Sequence, residues 1–187
     1  LGAVYAVVAL GYTMVYGIIK LINFAHGDVF MLGAFIGFYA IARWEMNVFL
    51  ALILAMILCA VIGVIIERIA YKRLRNATRI AALITAIGVS LLIEYTVIFF
   101  RGSSPEAYPN VFSKTNFDIF GVQISTLAIF ILSVSIFLML LLQFIDNKKK
   151  IGKAMRAVSH DADAAKLMGI NVDNTISATF AIGSALA

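Results

Sequence analysis

The chain has 187 residues, 63% of them hydrophobic and only 13% charged, with a net charge of +5 and one cysteine. Soluble domains are roughly half apolar and a quarter charged, so this balance excludes one. The lone Cys59 excludes an intrachain disulfide and reads as a small buried hydrophobe.

Apolar runs, most of them long enough to cross a bilayer, recur in chain order. They lie at Leu1 to Ile19, Val29 to Ala42, Val48 to Ile66, Ile80 to Phe100 and, roughly, Leu127 to Ile145. A sixth starts near Ile176 and is still running at Ala187. The expected fold class is therefore all-α: a polytopic transmembrane helical bundle of about five complete helices and the start of a sixth, one domain over residues 1–187. Leu1 opens the chain inside an apolar run, so the sequence is expected to be a piece truncated at both ends. Leu1 to Ile19 has neither the basic flank nor the cleavage site of a signal peptide.

Between the first two runs lies KLINFAHGDVF, where Lys20, Asn23, His26 and Asp28 break the apolar pattern without making a proper loop. Two readings stand: a connection on the cytoplasmic side, or a discontinuous helix whose freed backbone is tolerated only against protein or a water-filled cavity. Asn23, His26 and Asp28 either hold such a break together by hydrogen bonds or line a translocation path. After the second run, Trp44 is an interfacial anchor. Basic residues gather after the third run (Arg68, Lys72, Arg73, Arg75, Arg79) and after the fifth (Lys148, Lys149, Lys150, Lys153, Arg156, Lys166). Both loops therefore face the cytoplasm, and the charge records topology, not nucleic-acid binding. Glu67 beside Arg68 reads as an interfacial carboxylate.

Glu94 falls two-thirds along the fourth run, where a charge costs about 2.5–3.5 kcal/mol near the helix centre. It either lines a polar pathway or reaches water near the outer face. Between the fourth and fifth runs, Gly102 and the prolines Pro105 and Pro109 give turn and coil. Asn116 to Ser125 alternates around Gly121 and reads as a short hairpin or an interfacial segment. Small residues four apart (Gly33 and Gly37, Ala82 and Ala86, Gly183 and Ala187) mark close helix packing. No catalytic set and no metal site is indicated: the two histidines are far apart, and no Cys or His stands at ligand spacing. The phosphate-loop pattern Gly-x-x-x-x-Gly-Lys is missing, so ATP is not bound through that motif.

Ile151 to Gly169, IGKAMRAVSHDADAAKLMG, is amphipathic and charged, with Ile151, Met155, Val158, Ala162 and Ala165 on one stripe at helical steps. Lys153, Arg156, His160 and Asp163 lie off it. Such a helix at the membrane edge either lies flat in the headgroups or docks against a partner. Gly169 is placed for a left-handed C-terminal cap and Asp173 for the N-cap of the next helix.

Two stretches carry a resemblance. Gly11 to Ala34, GYTMVYGIIKLINFAHGDVFMLGA, resembles the amino-terminal signature of bacterial branched-chain amino acid ABC transporter permeases, the H-type subunit above all. Ile151 to Asp173 resembles that family's cytoplasmic coupling segment. Its Asp163-Ala164-Ala165-Lys166-Leu167-Met168-Gly169 matches Glu-Ala-Ala-x-x-x-Gly with Asp for Glu, and the later Ile-x-Leu-Pro element has no counterpart. The resemblance implies an ABC importer permease fold with a coupling segment over 146–173, and a multi-pass place in the bacterial cytoplasmic (inner) membrane. It implies import of leucine, isoleucine or valine delivered by an extracytoplasmic binding protein. The implied partners are a second related permease and two ABC ATPase subunits that hydrolyse ATP, this chain holding no cofactor. It implies contact with the ATPase through Arg156, Asp163, Ala164, Ala165 and Gly169. Asn23, His26, Asp28 and Glu94 are the pathway candidates. Urea or short amides are the alternative cargo, since permeases for them are close relatives; an ion-coupled carrier and a membrane scaffold are rival classes.

Overall fold

A backbone in lipid has no water to bond, so the apolar runs must satisfy their own N–H and C=O groups, and helices do so within one segment. The computed structural model describes residues 2–74, 77–105, 107–109, 116–119 and 122–187. Leu1, Arg75 and Gly121, which enter the sequence reading, lie outside the described residues. The helices are α1 (Gly2–Ile19), α2 (Ala25–Ala42), α3 (Val48–Ile66), α4 (Arg79–Arg101), α5 (Thr126–Lys148), α6 (Lys150–His160), α7 (Ala162–Leu167) and α8 (Val172–Leu186). Among the described residues, five stretches are long and apolar enough to cross a membrane. Polar residues punctuate them: Asn47, Thr78 and Ser125 each accept a backbone N–H as N-caps of α3, α4 and α5.

α3 does not stop at Ile66. It widens into a π-helical turn, Glu67–Tyr71, and then tightens into a 3₁₀ turn, Lys72–Leu74, before the basic loop. The outer connection ends in the hairpin β1 (Asn116–Ile119) and β2 (Val122–Ser125), antiparallel with Asn116 opposite Ser125 and Ile119 opposite Val122. The hairpin reading of this segment therefore holds. Arg101, at the outer end of α4, lays its guanidinium 4.8 Å from the Tyr39 ring centroid on α2.

α8 is the central element. It packs between α1 and α3, with α2 on the far side of α3, α4 against α2, and α5 against α1. Val15, Val29, Cys59, Tyr71, Ala86, Ile176 and Phe180 form the shared core, and Cys59 is buried there. Lipid offers no hydrophobic force between helices, so contact depends on backbones approaching closely. At the α1–α8 crossing, a Cβ added to Gly11 would lie 2.7 Å from the Gly183 carbonyl oxygen. At the α3–α8 crossing, a Cβ on Gly63 would overlap the Ser184 side chain and lie 3.0 Å from the Phe180 carbonyl. The small residues expected at contacts are used there: Gly33 faces Cys59, Gly37 faces Tyr108, and Ala82 and Ala86 are buried. Overpacking typically costs 1–3 kcal/mol, so Gly63→Leu is expected to destabilise the folded bundle by about that amount. Loss of a sharp thermal transition in detergent, at unchanged membrane insertion, is the measurement that shows it.

Candidate functional site

The stretch between α1 and α2 is re-entrant. Leu10 and Met14 of α1 share a groove with Ile136, Gln143 and Asp146 of α5, so α1 descends toward the basic side. Lys20 then adopts φ +59, which stops the helix, and residues 20–23 leave it, with Phe24 back in right-handed helical geometry just before α2. The chain climbs back: His26, at the start of α2, is buried and bonds the Val8 carbonyl through Nε2, 3.1 Å away. A carbonyl can only accept, so Nε2 carries the proton. Val8 lies eleven residues before Ile19, about 16 Å up the helix. Asp28 tells the same depth from the other side, because it accepts a hydrogen bond from Ser90 Oγ, eleven residues above Arg79 on α4. His26 and Asp28 thus sit near the middle of a hydrocarbon layer roughly 30 Å thick. The segment is a broken re-entry into the membrane, bracketed by the turn at Lys20 and the restart at Ala25.

The three polar residues face different neighbours. Asn23 is buried and accepts from the Tyr71 hydroxyl at 3.0 Å; His26 reaches α1; Asp28 reaches α4. Asn23 and His26 share a shallow groove with Tyr5 and Tyr12 of α1. Glu94 is exposed one turn above Ser90 on the same face of α4, above the Asp28 contact. Asp28 and Glu94 therefore belong to the α2–α4 side, and Asn23 and His26 to the α1 side. None of the four lines the apolar cavity that α1, α2, α3 and α5 enclose above the end of α8. Among the described residues, no group of His, Cys, Asp and Glu is placed to hold a metal ion.

Glu67 is not interfacial. Its side chain is 0% exposed within the π-turn, and Ser177 of α8 donates a hydrogen bond to its Oε2 at 2.7 Å. A buried carboxylate costs several kcal/mol unless hydrogen-bonded, so this position is built around its partners. Four residues on, Tyr71 is buried and spans to Asn23, its ring 5.3 Å from Phe180 of α8. One residue further, Lys72 Nζ pairs with Asp173 at 2.9 Å. Glu67, Tyr71 and Lys72 thus bind α3 to the lower half of α8, and Tyr71 adds the re-entrant stretch. The sequence held a trace of this: Cys59, Gly63, Glu67 and Tyr71 fall at four-residue steps on one helix face.

The cytoplasmic segment is two helices rather than one continuous stripe. Asp161 is extended, with φ −153 and ψ 108, and its Oδ1 accepts from the backbone N–H of Asp163 and of Ala164, both at 2.9 Å. An N-cap in the middle of the stripe ends α6 and starts α7. Met155, Val158 and Ala165 are buried as their spacing predicts, but the break turns Ala162 outward, and Gly152 replaces it on the buried face. Arg156 is tied back to Asp146 at the end of α5, its Nη1 3.0 Å from Oδ1. His160, Asp163, Ala164 and Lys166 are exposed.

α7 ends at Gly169, with φ +83. The Gly169 N–H bonds the Lys166 carbonyl and the Ile170 N–H bonds the Ala165 carbonyl, the paired pattern of a Schellman cap. Asn171, not Asp173, caps α8, accepting from the Asn174 N–H at 3.0 Å. Asp173 lies inside the first turn, where its charge suits the helix dipole and Lys72 holds it. Leu167 and Met168 stand at the tip, 89% and 83% exposed, on a short turn fixed at both ends. Periodicity missed them because they face away from the buried stripe.

A bundle of membrane-length helices, a broken helix within it and a capped helical pair on the basic side define a multi-pass helical membrane protein. The chain belongs to the family described as branched-chain amino acid transport system, permease component, whose model matches residues 1–187. It is 40% identical over 199 residues to the high-affinity branched-chain amino acid transport system permease protein LivH of Salmonella typhimurium, covering all of this chain and 65% of that protein. The LivH protein of Escherichia coli K12 is 39% identical over the same coverage. BraD of Pseudomonas aeruginosa is 38% identical, with 64% of its length covered. The chain thus spans a little under two thirds of these relatives. No solved structure matches it. Met155→Asp places a charge on the buried face of α6 and is expected to release α6 from α5 and α8, with a loss of about 3 kcal/mol or more. Proteolysis within 146–173 of the membrane-inserted variant, against none in the parent, is the check.

Proposed function

We propose that this chain is a permease subunit of an ATP-driven importer that carries leucine, isoleucine or valine into the cytoplasm. The observation that carries the reading is the α6–α7 pair: a membrane-edge handle, capped at Asp161, Gly169 and Asn171, that presents Leu167 and Met168 to the cytoplasm. Two large apolar side chains exposed on a rigid turn are costly in water and are suited to a partner's groove. An ATPase subunit is the partner this reading assigns. Asp163, Ala164 and Lys166 flank the tip and face outward with it, while Ala165 holds α7 on its own bundle and Arg156 holds α6 on α5. Chemistry then belongs to the ATPase, and the permease performs no covalent step.

The family and the names of the similar proteins support branched-chain amino acids as cargo. A second related permease, a pair of ATPases and an extracytoplasmic binding protein complete the proposed assembly. Asp28 and Glu94, on the thinly covered α2–α4 side, remain the pathway candidates that a partner helix would reach. Gly169→Val forces a β-branched residue to φ +83 and is expected to lower transport about tenfold while insertion stays normal. Photocross-linking from Met168 in the full-length assembly tests the partner directly. Capture of the ATPase supports the reading, and capture of phospholipid alone overturns it.

A further inference from the structure

We propose that the π-turn Glu67–Tyr71 is a joint, with Tyr71 and Glu67 as positioning residues that make the re-entrant stretch 20–23 follow the lower half of α8. The inference rests on the transport reading above and adds the route by which the cytoplasmic handle reaches the membrane interior. Three contacts join α3 to α8 within one turn and a half: Lys72 to Asp173 at 2.9 Å, Glu67 to Ser177 at 2.7 Å, and the Tyr71 ring on Phe180. Asp173 lies two residues beyond the Asn171 cap that ends the handle, so a shift of α7 reaches this cluster with no flexible connection between.

From the same turn Tyr71 holds the non-helical stretch. Its single hydroxyl proton goes to Asn23 Oδ1 at 3.0 Å, with the Ile22 carbonyl at 3.4 Å. Residues 20–23 make no ladder of their own, so these contacts decide where the stretch sits. His26 then carries the position to α1 through Val8. A π-turn suits this role: its wider hydrogen-bonded ring is less stable than an α turn, and such turns are frequent at functional sites. It projects a carboxylate toward α8 and a phenol toward the re-entrant stretch from a single turn.

The test uses the full-length permease with its partner subunits in vesicles. Ile22→Cys, on an exposed position of the stretch, is labelled by a thiol reagent with and without trapping by Mg-ATP and orthovanadate. Trapping is expected to change the labelling rate about fivefold in the otherwise native chain. Tyr71→Phe, which removes the hydroxyl that holds the stretch, and Ser177→Ala, which removes one of the three contacts to α8, are each expected to reduce the change, Tyr71→Phe to near none. Glu67→Gln keeps an acceptor for Ser177 and is expected to retain it. An unchanged fivefold response in Tyr71→Phe and Ser177→Ala overturns the joint, as does a native chain whose labelling ignores nucleotide while the ATPase is bound and turning over. Failure of the transport reading shows separately, as an ATPase that does not co-purify with the permease. Ser177→Ala keeps the test decisive if Tyr71→Phe does not fold.

Discussion

Hydrocarbon offers a backbone no hydrogen-bond partner, and here that constraint falls hardest on four residues, 20–23, that enter the membrane without forming a helix. Asn23 is buried while Ile22 and Phe24 are exposed, so a few contacts from neighbouring helices hold the stretch and the restart after it. Tyr71 supplies a donor from α3, α1 supplies the Val8 carbonyl to His26, and α4 supplies Ser90 to Asp28. A hydrogen bond to a charged carboxylate contributes about 1.5–3 kcal/mol, and leaving that carboxylate bare in the membrane would cost more. The order of the bundle follows. α1, α3 and α4 must each bring a polar atom to the break, and α8 must fill the space between α1 and α3 that this arrangement leaves.

α8 fills that space because it is narrow where it crosses its neighbours. Gly183 meets Gly11, and Ser184 meets Gly63, so backbone lies almost on backbone at both crossings. Lower down the contacts turn polar, at Ser177 and Asp173, where the chain approaches the headgroup region. One helix therefore joins a dry, closely packed upper half to a hydrogen-bonded lower half. The lower half is continuous with the cytoplasmic pair through four residues, 168–171. The half-exposed Lys72–Asp173 pair contributes at most about 1 kcal/mol by itself. Its value lies in registering α8 against α3 beside the buried Glu67.

The spans and the cap at Gly169 were legible in the sequence, because hydrophobic length and a glycine after an amphipathic run are local signals. The hairpin was legible as one of two readings. The break at Asp161 was not, because its effect on periodicity is a single displaced residue, Ala162. Asn171 won the cap over Asp173 because Asp173 has a better partner in Lys72, which is about a hundred residues away. Glu67 was misread for the same reason: a carboxylate next to Arg68 at the end of a span looks interfacial until Ser177 arrives from α8. Asn23, His26 and Asp28 were legible as a polar interruption, with a broken helix as one of two readings, and only tertiary structure shows that they point toward three different helices. What stayed hidden was in each case a contact between residues distant in sequence.

The π-turn carries one residue more than an α-helix needs over the same rise. Were residues 67 to 71 wound as ordinary α-helix with none removed, everything beyond them would advance by one residue and rotate by about 100°. Lys72 would swing away from Asp173, and the basic loop would leave the membrane on another azimuth. The length of that turn therefore sets the angular phase between the membrane-buried and cytoplasmic parts of the molecule, so a one-residue slip there is a larger change than many substitutions elsewhere.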